Sequence, residues 1–395
     1  MTLAGRHVLL GVSGGIASYK ACTLARRLAE AGVAVDVVLT QSAAEFVRPV
    51  TFEALTGRPV LTSLWERGRA LAHIDLARVP DLVVLAPATA HLLARAALGL
   101  ADDLLTALLL ARDGPVLAAP AMNDAMYAHP ATQANIATLR TRGWTLVGPD
   151  IGALAEGPSD RPGRMVEPET LLVAVERALR TGGPLAGRRV LVTAGPTRES
   201  LDPVRVITNR SSGRMGFALA RAAHARGAEV LLVAGPTTLE PPIGIAVERV
   251  ETTDDLAQVV GHQIGTADVL IMAAAPADFR PAAPSDAKGG REQGARRLDL
   301  HPTPDVLVGT RDRRKPGAVV VGFAYEVGDG EARARAKLDR KGLDLVVLNL
   351  AEPGAGAEVA TNRVTLITQG GAEPGPLESK DQAAERILDA VERLL

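Results

Sequence analysis

Leu3-Ala4-Gly5-Arg6-His7-Val8-Leu9 opens the chain, and the same pattern returns as Leu185-Ala186-Gly187-Arg188-Arg189-Val190-Leu191. Each copy feeds a short aliphatic run, residues 8–12 and 190–193, that ends in a turn of small residues. The first turn reads Gly11-Val12-Ser13-Gly14-Gly15-Ile16-Ala17 and the second Ala194-Gly195-Pro196-Thr197. A buried strand that passes through a tight turn into a helix is the start of a βαβ unit. Its recurrence predicts two such domains end to end, with Gly182-Gly183-Pro184 marking the break between them.

The neighbouring sequence repeats the alternation. Strand-like residues 8–12 and 33–39 interleave with helix-like residues 17–31 and 43–55, and residues 82–85, 116–119 and 145–147 read as further buried strands. In the second half, residues 190–193, 230–233, 269–273, 319–321 and 345–348 supply strands. Alternating strands and helices imply a parallel sheet covered on both faces. The expected fold class is therefore α/β, with two tandem doubly wound Rossmann-like domains at residues 1–181 and 187–395 and a linker at about 181–187. Ligands of such sheets gather at the carboxyl ends of the strands.

Composition narrows the function classes. A chain of 395 residues has room for two or three domains. A net charge of -1 and a pI near 6.7 provide no whole-protein basic field for nucleic acid or an anionic membrane. The one cysteine, Cys22, excludes an internal disulfide framework and a Cys-rich metal site, and reads as a small buried hydrophobe. The apolar run at 8–12 is broken by Gly11, Ser13 and Gly14, which does not suit a secretory signal. No stretch approaches the ~18 to 20 apolar residues that cross a bilayer. A cytoplasmic protein is expected. Of the 44 basic residues only six are lysines: Lys20, Lys288, Lys315, Lys337, Lys341 and Lys380.

The chemistry concentrates in a few loops. Thr208-Asn209-Arg210-Ser211-Ser212-Gly213-Arg214-Met215-Gly216 leads into a helix-like run at 217–226 and offers amide, guanidinium, hydroxyl and backbone N–H groups to an anion. The alternative is a polar turn capped by Ser212. A second Ala-Gly-Pro-Thr turn, Ala234-Gly235-Pro236-Thr237, follows another strand. The first-half turn at Gly14 is not G-x-G-x-x-G, and the second strand ends in Thr40-Gln41-Ser42 without the acid that a dinucleotide ribose needs. A single phosphate, as on a flavin mononucleotide, suits it as well as a generic tight turn does. Ala86-Pro87-Ala88-Thr89-Ala90-His91, His73-Ile74 and Pro120-Ala121-Met122-Asn123 place further polar groups near strand ends, though Asn123 can equally be a helix N-cap. Residues 281–297, rich in Pro, Ala, Gly and charge, read as a mobile loop that carries Lys288.

Together these segments resemble the bifunctional coenzyme A biosynthesis family, a phosphopantothenoylcysteine decarboxylase joined to a phosphopantothenate-cysteine ligase. In the first half the resemblance rests on Ser13-Gly14-Gly15-Ile16-Ala17-Ser18-Tyr19-Lys20, Ala72-His73-Ile74-Asp75-Leu76-Ala77, Ala86-Pro87-Ala88-Thr89-Ala90 and Pro120-Ala121-Met122-Asn123. In the second it rests on Val192-Thr193-Ala194-Gly195-Pro196-Thr197-Arg198-Glu199, Asp202-Pro203-Val204-Arg205, residues 207–216, Ala273-Ala274-Ala275, Ala277-Asp278 and Val321-Gly322-Phe323-Ala324.

The resemblance implies a flavoprotein-type N-terminal domain and a ligase-type C-terminal domain. The first would use FMN to turn a cysteinyl thiol into a thioaldehyde, an electron sink for decarboxylation of phosphopantothenoylcysteine to 4'-phosphopantetheine. Flavin would rest on Ser13, Gly14, Thr40, Ala88 and Thr89, His73 would act as base or orient the substrate, and Asn123, beside Met122, would hold its carboxylate. The family's proton-donating Cys is absent here. Leu154-Ala155-Glu156-Gly157 places Glu156 at that position, so either a protonated Glu156 donates or this half is altered. The second domain would activate 4'-phosphopantothenate with CTP and Mg2+, without a dedicated metal cage, and pass the acyl group to L-cysteine. Asn209 would hydrogen-bond the acyl intermediate and Lys288 would neutralise phosphate. Arg205, Asp278, Asp305, Phe323, Lys337 and Lys341 would meet substrate or nucleotide, with Ser212 and Gly213 at the triphosphate. Thr303-Pro304-Asp305 stands where Asn-Pro-Asp is usual, and Lys288-Gly289-Gly290-Arg291 keeps fewer lysines than the family loop. Homo-oligomers, as far as a dodecamer, are implied. A nicotinamide-dependent dehydrogenase and a regulatory binding module without turnover are the competing classes.

Overall fold

The computed structural model describes residues 3–65, 71–180, 182–288, 297–326, 330–350, 356 and 359–395. The chain divides into two compact units, Met1–Arg180 and Thr181–Leu395.

The first unit is built on a six-stranded parallel sheet of β1 (His7–Val12), β2 (Ala34–Leu39), β3 (Val60–Leu61), β4 (Leu82–Ala88), β5 (Val116–Pro120) and β6 (Thr145–Leu146) in the order β3-β2-β1-β4-β5-β6. Its central strands are aliphatic on both sides because helices cover both faces. Val8, Leu10 and Val12 of β1 point into one buried cluster and Leu9 into another. The run at 43–55 is not one helix. Ala43–Glu45 makes a single 3-10 turn and the helix proper is Pro49–Thr56, since the proline ring at the first helical position starts a helix but cannot continue one. A short antiparallel pair, β7 (Asp150–Ile151) and β8 (Pro162–Arg164), follows.

The second unit repeats the same winding. Its strands are β9 (Arg189–Ala194), β10 (Arg198–Ser200), β11 (Val206–Thr208), β12 (Glu229–Ala234), β13 (Ala246–Arg249), β14 (Val269–Met272), β15 (Phe279–Pro281), β16 (Leu300–Pro302), β17 (Val319–Glu326), β18 (Leu345–Leu350), β19 (Thr361–Thr368) and β20 (Gly371–Ser379). The main sheet runs β13-β12-β9-β14-β17-β18-β19-β20, so its first six strands keep the strand order of the first unit. The last two form an antiparallel hairpin on the β18 edge. The Leu-Ala-Gly-Arg repeat of the sequence thus opens two copies of one topology, and Leu185 at its second start is fully buried in the second unit's core. The helix expected at 217–226 begins earlier, at Arg214, so the polar loop runs directly into its first turn.

That helix, Arg214–Ala225, lies against β9 through Gly216, where an added Cβ would stand 2.7 Å from the Thr193 carbonyl oxygen and 2.5 Å from the Ala194 side chain. An exposed Gly→Ala change in a helix stabilises by up to ~1 kcal/mol. Here the backbone contact reverses the sign, and Gly216→Ala is expected to lower stability by about 1–3 kcal/mol, the cost of overpacking. A downward shift of the urea transition that unfolds the second unit, with the first unit's transition unmoved, is the measurement.

Candidate active sites

In each sheet the strand order reverses beside the first strand, between β1 and β4 and between β9 and β14, and at that point two chain segments diverge and leave a crevice. Both crevices are present as cavities.

The first has a volume of about 940 Å3 and is lined by residues 13–17, by Thr40, Gln41 and Ser42, by Thr89, by Met122, and by 153–155. Its floor is a set of hydrogen bonds between strand ends. The Ser13 hydroxyl donates to the Pro87 carbonyl at 2.7 Å and accepts from the Thr89 N–H at 3.0 Å, and the Thr89 hydroxyl then caps the helix Ala90–Leu98 by accepting from Leu92 N–H. Ser13 is buried, so its hydroxyl positions the turn. Thr40 does the same for the second strand, accepting from Ala43 N–H at 3.2 Å. Gly14 approaches the Ser42 backbone so closely that a Cβ there would lie 2.8 Å from the Ser42 carbonyl carbon. Small residues at 13–15 therefore keep the two loops together and the cavity open. Ala88 is buried at the end of β4, behind Thr89.

The remaining first-half residues are placed differently. Asn123 is the N-cap that its flanks allowed: its Oδ1 accepts from Ala125 N–H at 2.8 Å, while its Nδ2 donates to the carboxylate of Glu156. Leu154 and Gly157 close a small antiparallel turn, with Leu154 and Ala155 on the cavity and Glu156 at the exposed tip. His73 sits half-buried in the helix Ala72–Arg78 and is not among the residues lining the cavity. Lys20 was not anticipated. It lines the cavity with its ammonium buried, donating to the Met165 carbonyl at 2.7 Å and paired with Glu167 at 3.1 Å.

The second cavity, about 620 Å3, is lined by Asn209, Gly213, Asp278, Asp305, Phe323, Lys337 and Lys341, bringing together residues far apart in sequence. The polar loop at its mouth is clamped by both Ala-Gly-Pro-Thr turns. Thr208 donates its hydroxyl to the Thr197 carbonyl at 2.7 Å, and Thr237 donates its hydroxyl to the Ser212 carbonyl at 3.1 Å. Gly213, with φ +77, takes the left-handed conformation that lets the chain turn into the helix Arg214–Ala225. The Asn209 amide reaches the Pro276 carbonyl at 2.8 Å. Behind the loop, the buried Glu199 accepts from the Thr253 N–H and hydroxyl, both at 2.8 Å, and Thr197 accepts from Ala277 N–H at 2.9 Å. These contacts hold the 275–278 segment in place.

On the opposite wall, Lys341 pairs with Asp305 at 2.8 Å and Lys337 donates to the Phe323 carbonyl at 2.5 Å. Burial, reinforced by the neighbouring Lys341 charge, pushes the Lys337 ammonium below its ordinary range. Burial alone would raise the Asp305 carboxyl, but the hydrogen bond and charge of Lys341 outweigh it and hold Asp305 low.

Arg205 stands apart from the lining: it pairs with the buried Asp202 at 2.7 Å and holds that carboxyl well below its usual range. Lys288 is exposed and also outside the lining; the rest of its loop, residues 289–296, lies outside the described residues. β15 and β16 pair at the loop's base, a hairpin not foreseen from the sequence. Sequence reasoning also missed Asn349, Asn362 and Lys380 in the lining. Asn349 interrupts an aliphatic strand at its carboxyl end, a signal that could have found it. No cluster of His, Cys, Asp or Glu fit to hold a metal ion occurs among the described residues, and none of the described helices is long and apolar enough to cross a membrane.

Residues 1–180 match the Flavoprotein family, and residues 185–395 match the DNA/pantothenate metabolism flavoprotein C-terminal domain family. The chain is 47% identical to the coenzyme A biosynthesis bifunctional protein CoaBC of Mycobacterium tuberculosis, over 98% of this chain and 96% of that one. It is 43% identical to the protein of the same name from Vibrio vulnificus, over 100% and 99% of the two chains. Among solved structures, the C-terminal domain of a CoaBC protein is 35% identical with a TM-score of 0.45, covering 54% of this chain and 98% of that one. Near-full-length identity at this level, with a family model on each half, places the chain in the family of coenzyme A biosynthesis bifunctional proteins.

Proposed function

We propose that the chain catalyses two steps of coenzyme A biosynthesis: residues 1–181 carry an FMN-dependent phosphopantothenoylcysteine decarboxylase, and residues 187–395 a CTP-dependent phosphopantothenate-cysteine ligase. The observation that carries this reading is the presence of two cavities, one at each strand-order reversal, the first lined by Ser13, Gly14, Thr40, Thr89 and Met122 and the second by Asn209, Gly213, Asp278, Asp305, Phe323, Lys337 and Lys341.

The residues of the first cavity support a flavin mononucleotide there. The 13–15 turn has no bulky side chain, and the strand β2 ends in the hydroxyls of Thr40 and Ser42 without an acid. Ser13, Gly14, Thr40, Ala88 and Thr89 would hold the cofactor, which when bound supplies the two-electron oxidation and reduction that decarboxylation of a cysteinyl carboxylate requires. Lys20 is part of the wall, its ammonium held by the Met165 carbonyl and Glu167. Met122 lines the cavity, and the next residue, Asn123, spends its carbonyl oxygen on the cap and turns its amide N–H groups toward Glu156. His73 is assigned the base or orienting role; since it is outside the lining within one chain, a neighbouring subunit is the natural partner for it. Glu156, beside Asn123 on the 154–157 turn, is the proton donor in this reading.

In the second cavity Asn209 and the 211–213 loop meet the acyl and phosphate groups, and Asp278, Asp305, Phe323, Lys337 and Lys341 meet the nucleotide, with Lys288 and Arg205 completing the charge. Mg2+ rides on the triphosphate through oxygen ligands. We also place the protein in the cytoplasm as a homo-oligomer, as far as a dodecamer, acting on small molecules rather than nucleic acid or membrane.

Three outcomes test these assignments. The purified chain should carry flavin absorbance, and Gly14→Val, which drives a side chain into the Ser42 backbone, should reduce the flavin-to-protein ratio at least tenfold; a full complement of flavin in that variant removes the cofactor site from this turn. Pyrophosphate release should require CTP, 4'-phosphopantothenate and Mg2+ and stop on chelation, and Asn209→Ala should lower its rate by about 10²-fold, the usual cost of losing one oriented donor. Glu156→Gln should slow 4'-phosphopantetheine formation by about 10²-fold, as for a lost general acid; an unchanged rate assigns the proton to another group.

A further inference from the structure

Four of the six lysines in this arginine-rich chain line the two cavities: Lys20 in the first, and Lys337, Lys341 and Lys380 in the second. Lys337 and Lys341 belong to one wall, on the helix Gly330–Lys341. Lys380 belongs to the other. It is the first residue of the fifteen-residue helix Lys380–Leu394, started by a Ser379 capping box at the end of β20. Because β20 is antiparallel to β19, and β19 to β18, that helix starts at the carboxyl edge of the sheet, where the crevice lies.

Its neighbour there is the helix Arg214–Ala225. The two share one buried cluster, through Phe217 and Ala218 on one and Ala383, Ala384 and Ile387 on the other, and Arg221 pairs with Asp381 at 2.7 Å. Two helix N-termini and two cationic side chains, Arg214 and Lys380, therefore line the same side of one cavity. Lys380 is only 5% exposed, and burial together with the Arg214 charge pushes its ammonium down to about 8. Two positive helix ends and two cationic side chains on one side of a cavity make a site that favours an anion. Two amides complete the wall. Asn362, at the start of β19, is 2% exposed, and Asn349, at the end of β18, is 8% exposed with its Oδ1 unpartnered among the described residues.

We propose that Lys380, with Arg214 beside it, is a phosphate-binding residue of the second cavity, on the wall opposite Lys337 and Lys341. The inference rests on the ligase reading above, whose two phosphorylated substrates offer the same chemistry: the phosphomonoester of the acid, or the phosphates of the nucleotide. A lysine suits either, as a compact charge that needs no fixed fork geometry.

The full-length chain is compared with Lys380→Met and Lys380→Arg in the pyrophosphate-release assay, varying CTP and 4'-phosphopantothenate separately. Lys380→Met should raise KM for one of them at least tenfold with kcat within threefold, and Lys380→Arg should recover part of the loss. The substrate whose KM rises identifies the phosphate. Direct binding supplies the second readout: the rise in melting temperature that CTP or 4'-phosphopantothenate gives the unaltered protein should shrink in Lys380→Met for that same compound. Lys380→Gln replaces the methionine variant if the latter does not fold. Unchanged KM values, or a fall in kcat alone, overturn the proposal. Failure of the unaltered chain to release pyrophosphate in response to both compounds would instead overturn the ligase reading beneath it.

Discussion

The turn after the first strand of each sheet must pass its backbone against a neighbouring loop with no side chain between them. In the first unit Gly14 lies against Ser42; in the second, Gly216 lies against β9 and Gly235 against the Pro196 carbonyl. Interiors are packed closely enough that one methyl group at such a contact displaces backbone. This close approach fixes where the strand-order reversal opens into a crevice, and the candidate residues that line each cavity are placed relative to it. The hydroxyls around it serve the same constraint: Ser13, Thr89, Thr197, Thr237 and Thr253 join the loops at the strand ends to one another.

The fold was legible because its signals are local and occur twice. Aliphatic runs that end in Ser13-Gly14-Gly15 and in Ala194-Gly195-Pro196-Thr197 mark the central strand of each sheet, and the shared strand order follows from that repetition. What escaped was short or lay at an edge. β10, β11, β15 and β16 have three residues each, too few for a period to show. The hairpin of β19 and β20 contains Gly371, Pro374, Gly375 and Pro376, which argue against a strand in a central position but are tolerated at the edge of a sheet, as here.

The site was legible to a different depth in each half. In the second, loop residues 209–211 and 213–216 and the residues Asp278, Asp305, Phe323, Lys337 and Lys341 converge on one cavity although they come from separate strand ends, whereas Ser212 is not in the lining. Sequence order cannot show that Lys380 joins them, because its place depends on an antiparallel hairpin returning the chain to the carboxyl edge. In the first half, residues 13–15, Thr40, Thr89 and Met122 converge, whereas His73 does not, and a single chain supplies no reason for it to do so.

Asn123 shows how one local rule constrains the chemistry of its neighbour. As the N-cap of the helix Asp124–Ala128, it spends its carbonyl oxygen on the N–H groups of Ala125 and Met126. An amide fixed on that side can only present its two N–H donors on the other, and one of them meets Glu156. A substrate carboxylate held by Asn123 would therefore either share the amide with Glu156 or displace it. A cysteine at 156 would leave that amide to the substrate; a glutamate offers it the same functional group that the substrate carries. If position 156 is that of the family's thiol, as the resemblance implies, and Asn123 positions the leaving carboxylate, as proposed, then a carboxyl at 156 alters two things at once, the acid available for proton transfer and the competition for the Asn123 amide.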